Sequence, residues 1–197
     1  MTPLILASRS PRRAQLLRML GLHFDVLPSE VDETYRPGEE PGEHAERLAR
    51  EKASAVANAR PDALVIGCDT VVVIDGKVLG KPRDVEDAVR MLMVLQGREH
   101  VVATGVAVAS NADVSSGVER VNVRFRGFDE DFARAYVATG EPLDKAGAYG
   151  IQGYGATLVD RIEGDFFAVM GLPIVRLVLL LEAQGWTYDF PSVEPGS

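Results

Sequence analysis

The sequence predicts an α/β domain built on a mixed sheet, and two observations predict it. Short apolar runs of strand length alternate with segments whose apolar residues recur at helical spacing. Two strand pairs are also joined by turn signals, one at Asp75-Gly76 and one across the polar stretch Ser110–Gly117. A chain of 197 residues, 46% of them apolar, is long enough to bury a substantial core. Residues 1–190 read as one domain with two lobes, and residues 191–197 as a frayed, disordered tail.

The elements follow in order. Leu4–Ala7 is a short strand, and Ser8-Arg9-Ser10-Pro11 interrupts it. Proline at a first helical position behind a serine cap starts a helix whose stripe is Ala14, Leu16, Leu17 and Leu20, ending at Gly21. Phe24–Leu27 is a second strand, followed by the acidic segment Glu30–Glu33 and a Pro/Gly-rich loop over Tyr35–Gly42. Ala45, Leu48, Ala49, Lys52, Ala53 and Val56 mark the next helix, with Lys52 on its inward stripe. An ammonium facing a core needs an anionic partner or a wet cleft.

Ala63–Cys68 and Val71–Ile74 form a nearly continuous apolar strand that only Asp69-Thr70 interrupts. It returns through Lys77–Leu79 to Gly80-Lys81-Pro82. Asp84–Gln96 is a helix with Val85, Ala88, Val89, Leu92 and Leu95 on one face. Val101–Ala109 and Val118–Phe125 are paired strands, and Asp129–Ala138 is another helix. Residues 140–153 are rich in glycine and polar groups without periodicity, and so long a loop inside a compact domain is usually functional. Thr157–Ile162 is a strand and Leu172–Ala183 a final buried helix.

Composition excludes several classes. The balance of 21 basic and 29 acidic residues gives a net charge of −8, which repels nucleic-acid backbones, so no nucleic-acid partner is expected. One cysteine, Cys68, permits no intrachain disulfide and no multi-thiolate metal site. The three histidines are scattered, which argues against a zinc hydrolase. No targeting segment or membrane span is visible, so the expected location is cytoplasmic. Leu- and Val-rich strands are compatible with a homodimer.

The polar positions then point to phosphate chemistry. At Ser8–Arg13 a helix N-terminus presents unpaired N–H groups and a partial positive charge, and Arg12 and Arg13 add planar donors matched to phosphate oxygens. Arginines in a first turn oppose the helix dipole, and a bound anion offsets that. Asp69 in an apolar strand needs a metal, a cation or donors, and the Asp69-Thr70 pair suits a divalent cation or an oriented water. Glu33, Lys52 and Lys81 are ordinary in isolation. Together they supply carboxylates for a metal and cations for a polyphosphate. No Walker A pattern is present.

These residues resemble the Maf family. The resemblance is carried by Ser8-x-Ser10-Pro11-Arg12-Arg13-x-x-Leu16-Leu17, Asp69-Thr70, Gly80-Lys81-Pro82, Glu141-Pro142-x-Asp144 through Gly153, and Gly171-Leu172-Pro173, and it spans Leu4 to about Ala183. It implies an elongated α/β domain with a mixed sheet and a central cleft between two lobes, similar to the inosine triphosphate pyrophosphatase fold. The implied reaction splits a nucleoside triphosphate between the α and β phosphates. Asp69 would be the proton acceptor, and Glu33, Lys52 and Lys81 the polar cleft residues. Ser8, Arg12 and Arg13 would bind phosphate.

The loop sequence Asp144-Lys145-Ala146-Gly147-Ala148-Tyr149-Gly150-Ile151-Gln152-Gly153 resembles the subfamily that prefers dTTP and UTP. There Arg12, Thr70 and Gln152 match positions tied to specificity, and Lys145 is the loop's substrate-binding cation. A glutamine amide offers a pyrimidine edge both a donor and an acceptor. Arg9 stands where the family often has glycine, and Val121 where it often has threonine. The expected mechanism is hydrolysis assisted by Mg²⁺ or Mn²⁺, with Asp69 and Glu33 as metal ligands and Asp69 acting either as ligand or as base. Two other readings are hydrolysis of modified nucleotides, and a nucleotide-binding regulator of cell division that needs no catalysis.

Overall fold

The computed structural model describes residues 2–111 and 113–190, so the expected tail at 191–197 lies outside the described residues. The elements in chain order are β1 (Leu4–Leu6), α1 (Pro11–Met19), β2 (Phe24–Val26), α2 (Pro41–Ala59), β3 (Leu64–Ile74), β4 (Lys77–Leu79) and α3 (Val85–Leu95). Then come β5 (Glu99–Ala109), β6 (Val114–Phe125), α4 (Glu130–Ala138), β7 (Val159–Glu163), α5 (Phe166–Met170) and α6 (Ile174–Ala183). No helix among the described residues is long and apolar enough to cross a membrane.

The expected mixed sheet is present. It has seven strands in the order β2-β1-β3-β5-β6-β7, with β4 pairing the far half of β3. β1 runs parallel to both β2 and β3, while the remaining pairs are antiparallel. The hairpin from β3 to β4 turns at Asp75 (φ 50°) and Gly76 (φ 71°), two successive left-handed residues as a type I′ turn requires.

Because side chains alternate along a strand, β3 divides its residues between two environments. Val65, Gly67, Asp69 and Val71 face α2. That helix packs its small residues Ala45, Ala49 and Ala53 against the sheet. A Cβ on Gly67 would lie 2.1 Å from the Ala49 carbonyl oxygen, and one on Gly105 2.3 Å from that of Ala45. Glycine at these two places is what lets α2 approach. The other face of β3 contributes to two larger clusters. Leu64, Ile66 and Cys68 join α1 and α6, whereas Val72 and Ile74 join α3, α4 and the 140s segment. Thr70 stands between the two, and a cleft opens over it.

Several expectations need correction. The Ser10 side chain makes no cap bond at α1; Ser8 Oγ accepts the Ser10 N–H instead, at 3.2 Å. β6 begins at Val114, so Ser115–Gly117 belong to the strand and not to a turn. Their turn-like composition misleads because Ser115 Oγ accepts from Gln184 and Ser116 Oγ donates to Glu46. α2 starts at Pro41, inside the expected loop. The last helix, α6, starts at Ile174 behind Pro173 and not at Leu172, and the short α5, ended by Gly171 (φ 104°), precedes it without having been expected. α6 is not a buried helix: it buries Leu177 and Leu181 against one face of the sheet but leaves Val175 71% and Leu179 59% exposed.

Candidate active site

The cleft has a volume of about 810 Å³, and the Ser8–Arg13 turn, Glu33, Lys52, Asp69, Thr70, Lys81 and Lys145 all lie on its wall. Six elements or loops deliver these side chains, so the geometry is tertiary throughout. Gln152, expected to read the base, is exposed and lies outside the cleft lining.

Lys52 resolves the question its helix stripe raised. It points from α2 to the sheet, and its Nζ donates to Asp69 Oδ1 at 2.7 Å and pairs with Glu33 Oε1 at 2.6 Å. The lysine and aspartate side chains are only 11% and 14% exposed, while Glu33 reaches in from a loop and is 61% exposed. Burial alone would raise the Glu33 carboxyl. The hydrogen bond and charge of Lys52 outweigh it, with smaller help from Lys81 and Arg13, and hold it below the ordinary carboxylate value. Among the described residues Asp69 Oδ2 makes no hydrogen bond, so it can accept from a water or bind a cation.

The two arginines of the turn do different things. Arg13 lies across the cleft floor and donates to protein: Nε to the Gly171 carbonyl at 2.8 Å, Nη1 to Ser8 Oγ and the Cys68 carbonyl at 3.0 Å each, and Nη2 to Thr70 Oγ1 at 3.1 Å. Of its five N–H donors, one on Nη2 is left over. Arg12 makes no hydrogen bond or ion pair among the described residues. Burial lowers its pKa from the ordinary value and Arg13 adds to this, while Asp144, Tyr136 and Glu141 pull the other way. An underpartnered, half-buried guanidinium beside a cleft is well suited to an anion. Arg9, which fits no motif, pairs at 3.2 Å with Glu30 on the surface. Val121 is buried in the core among apolar neighbours.

The 140s segment closes the far wall, and Glu141 organises it. Glu141 accepts from the Tyr136 hydroxyl at 2.8 Å, the Tyr154 N–H at 2.9 Å and the Gly155 N–H at 3.0 Å. Lys145 donates to the Glu141 carbonyl and to Asp144, and Gly147 N–H reaches the Gly80 carbonyl at 3.0 Å, joining this wall to the Lys81 hairpin. Lys81 itself is exposed and has no ion-pair partner among the described residues. Positive side chains thus face the space from three sides.

Three contributors escaped the sequence reading. Tyr35 lines the cleft and stacks on His44 with ring centroids 3.5 Å apart, and burial with the nearby Asp69 raises its hydroxyl to about 12. Its place in a Pro/Gly-rich loop carries no periodic signal. Tyr149 forms part of the wall and is held from behind by His100 at 2.8 Å. Thr104, on β5, is fully buried beneath Thr70. A threonine in the apolar run Val101–Ala109 was the available signal for it.

A family model described as Maf-like protein matches residues 3–184. The chain is 54% identical to the dTTP/UTP pyrophosphatase of Moorella thermoacetica over 187 residues, 94% of this chain and 96% of that one. It is 50% identical to the dTTP/UTP pyrophosphatase of a Geobacillus species over 94% of this chain and 100% of that one. The protein of the same description from Aquifex aeolicus is 48% identical over 90% and 93% of the two chains. Among solved structures, the Ham1 protein of Staphylococcus aureus shows a weak likeness, with a TM-score of 0.48 and 16% identity over 80% of this chain and 79% of that one.

Proposed function

The chain belongs to the Maf-like family, and from that premise we propose that it hydrolyses nucleoside triphosphates, dTTP and UTP foremost, to the monophosphate and pyrophosphate. The observation that carries this reading is the Glu33–Lys52–Asp69 cluster on the wall of a cleft whose other walls present Arg12, Lys81 and Lys145. A binding protein for a polyanion needs the cations. It has no use for two carboxylates aimed at the same space.

The reaction needs a water oxygen to bond to the α phosphorus while the bond to the α,β-bridging oxygen breaks and pyrophosphate leaves with that electron pair. In this reading Asp69 Oδ2 accepts the water's proton, while Lys52, donating to Oδ1, holds the carboxylate in orientation. Ser8 and Arg12 at the α1 turn, with Lys81 and Lys145, offset the charge on the polyphosphate. Arg13, largely committed to protein carbonyls and hydroxyls, holds the turn in place.

The donor set bears on the expected metal. Among the described residues no three His, Cys, Asp or Glu side chains converge to hold an ion. Two carboxylates, Asp69 and Glu33, fit a hard cation such as Mg²⁺ or Mn²⁺ that also takes ligands from substrate phosphates and water. Such an ion supplies charge neutralisation and a more acidic water.

The test is a panel of dTTP, UTP, other triphosphates and modified analogues, with pyrophosphate detection, with and without added divalent cation. Asp69→Asn is the control. It should lower turnover of dTTP by about 10²-fold or more. Tight nucleotide binding with no pyrophosphate released by the wild-type protein would instead favour a regulator.

A further inference from the structure

One edge of β3 is covered only in part. On one side β5 pairs it without interruption from Val65 to Val73. On the other side two short strands share it, β1 against Leu64–Ile66 and β4 against Val72–Ile74. Between them lies a gap, and the ladder geometry says which main-chain groups face it. Alternate residues of a strand direct their N–H and C=O groups to opposite edges. The Leu64 N–H donates to the Pro3 carbonyl at 2.9 Å and the Ile66 carbonyl accepts the Ala7 N–H at 2.8 Å, so the even-numbered residues of β3 address the β1 and β4 side. Cys68 and Thr70 are the even-numbered residues in the gap.

Both ladders stop short of these two residues. The next rung on the β1 side would join the Cys68 N–H to the Ala7 carbonyl, and the next on the β4 side would pair Thr70 with Lys81. Neither is made among the described residues, because the chain leaves the sheet at Ser8 to start α1 and at Gly80 to reach Lys81. Arg13 takes the Cys68 carbonyl at 3.0 Å, and Cys68 itself is fully buried. Thr70 is half-buried on the cleft wall, and its main-chain N–H has no partner among the described residues. An unpaired main-chain donor inside a domain calls for a partner. Ser8 and Arg13 bound the gap at one end and Lys81 at the other, so the donor stands in a cationic frame that attracts an anion.

We propose that the main-chain N–H of Thr70 donates to a non-bridging oxygen of the substrate's α phosphate. The proposal rests on the reading of the cleft as a triphosphate site and names one more donor in it. The phosphate is the one under attack because Thr70 follows Asp69 directly in the strand, and the proposed water-activating carboxylate belongs to Asp69. The Thr70 carbonyl lies on the β4 side of the N–H and repels a phosphate oxygen, which confines the anion to the Arg13 side. With β5 paired along one edge and β1 and β4 on either side of the gap, the donor is fixed before substrate arrives. Such a group is effective against charge that develops in a transition state. No side-chain pattern announces it, since the donor is main chain.

Amide hydrogen exchange of the wild-type protein, followed by NMR, tests this by comparing Thr70 with Val71, whose N–H is directed to β5. In the free protein Thr70 should exchange about 10²-fold faster than Val71 or more. Two saturating ligands are then added separately: inorganic tripolyphosphate, and α,β-imido-dTTP, which resists cleavage at that bond. Each should slow Thr70 by about tenfold or more beyond any change at Val71, and thymidine should not. The proposal is overturned if Thr70 in the free protein exchanges as slowly as Val71. It is equally overturned if calorimetry shows both ligands bound while the ratio of the two rates stays constant, if neither ligand binds, or if thymidine alone protects Thr70. Pyrophosphate release from nucleotides is measured separately. Turnover of dTTP with Thr70 unprotected would sink the proposal and leave the activity standing. Protection by tripolyphosphate in a protein that releases no pyrophosphate from any nucleotide would refute the activity and keep Thr70 as a phosphate donor.

Discussion

Replacing Lys52 with methionine keeps the apolar stem and removes the cation from between two carboxylates. Removing one partner of a fully buried ion pair costs about 3–5 kcal/mol. Here the cost divides unequally. The Asp69 side chain, 14% exposed and 2.7 Å from Nζ, lies near the buried limit. Glu33, at 61% exposure, is screened by solvent and adds about 1 kcal/mol at most. Relief of the ammonium's own desolvation offsets part of the loss. The expected destabilisation at pH 7 is about 2–4 kcal/mol, or roughly 5–12 °C in Tm for a domain of this length.

The pH dependence carries the sharper test. Glu33 is held below its ordinary value of 4.5 in the folded protein, against the effect of burial and mainly by Lys52. A depressed carboxyl contributes stability that is complete above its unfolded pKa and is lost as pH falls through the folded one. The gap between wild type and Lys52→Met should therefore be full at pH 6–7 and narrow as pH is lowered below about 4.5. Urea denaturation of both proteins from pH 7 to pH 3 measures it. A gap that stays constant across that range, or no destabilisation at pH 7, would refute the electrostatic account of the cluster.

Two further predictions concern the scaffold. Gly67→Ala sets a methyl carbon against the Ala49 carbonyl and should push α2 off the sheet, costing about 3 kcal/mol or more and separating Lys52 from Asp69; calorimetry and the turnover of dTTP should fall together. Glu141→Gln, with its oxygen kept on the Tyr136 hydroxyl and the Gly155 N–H, leaves an amide N–H facing the Tyr154 N–H that the second carboxylate oxygen now satisfies. It should cost about 1–2 kcal/mol and speed proteolysis within residues 140–157, while a cleavage pattern identical to that of the wild type would show that Glu141 does not hold this wall.

Much of the architecture was legible because each element carries its own period. The β3 strand with its Asp69-Thr70 interruption, the Asp75-Gly76 turn and the inward Lys52 all stand in the structure where spacing placed them. What spacing could not show was partnership. Arg12 and Arg13 look equivalent in sequence. They differ because the Gly171 and Cys68 carbonyls, far along the chain, lie within reach of only one of them. Likewise the leucines and valines of α6 are the same residue types whether they face the sheet or the solvent. Serines 115 and 116 read as turn because their partners Gln184 and Glu46 are remote. The role of Glu141 is set by three donors that exist only once the chain has folded around it.

The unbroken run of β3 and β5 has a consequence for ligand choice. They are paired from Val65 with Ala109 to Val73 with Val101, and this one ladder floors both halves of the molecule. Spreading the halves would mean bending or tearing it, so the slot above Thr70 has a set gauge. Whatever yields during loading and unloading has to be the outer wall, where the Lys81 hairpin and the 140s segment are buttoned together by the Gly147 amide on the Gly80 carbonyl. A slot of set gauge sorts its guests by outline before any hydrogen bond is read.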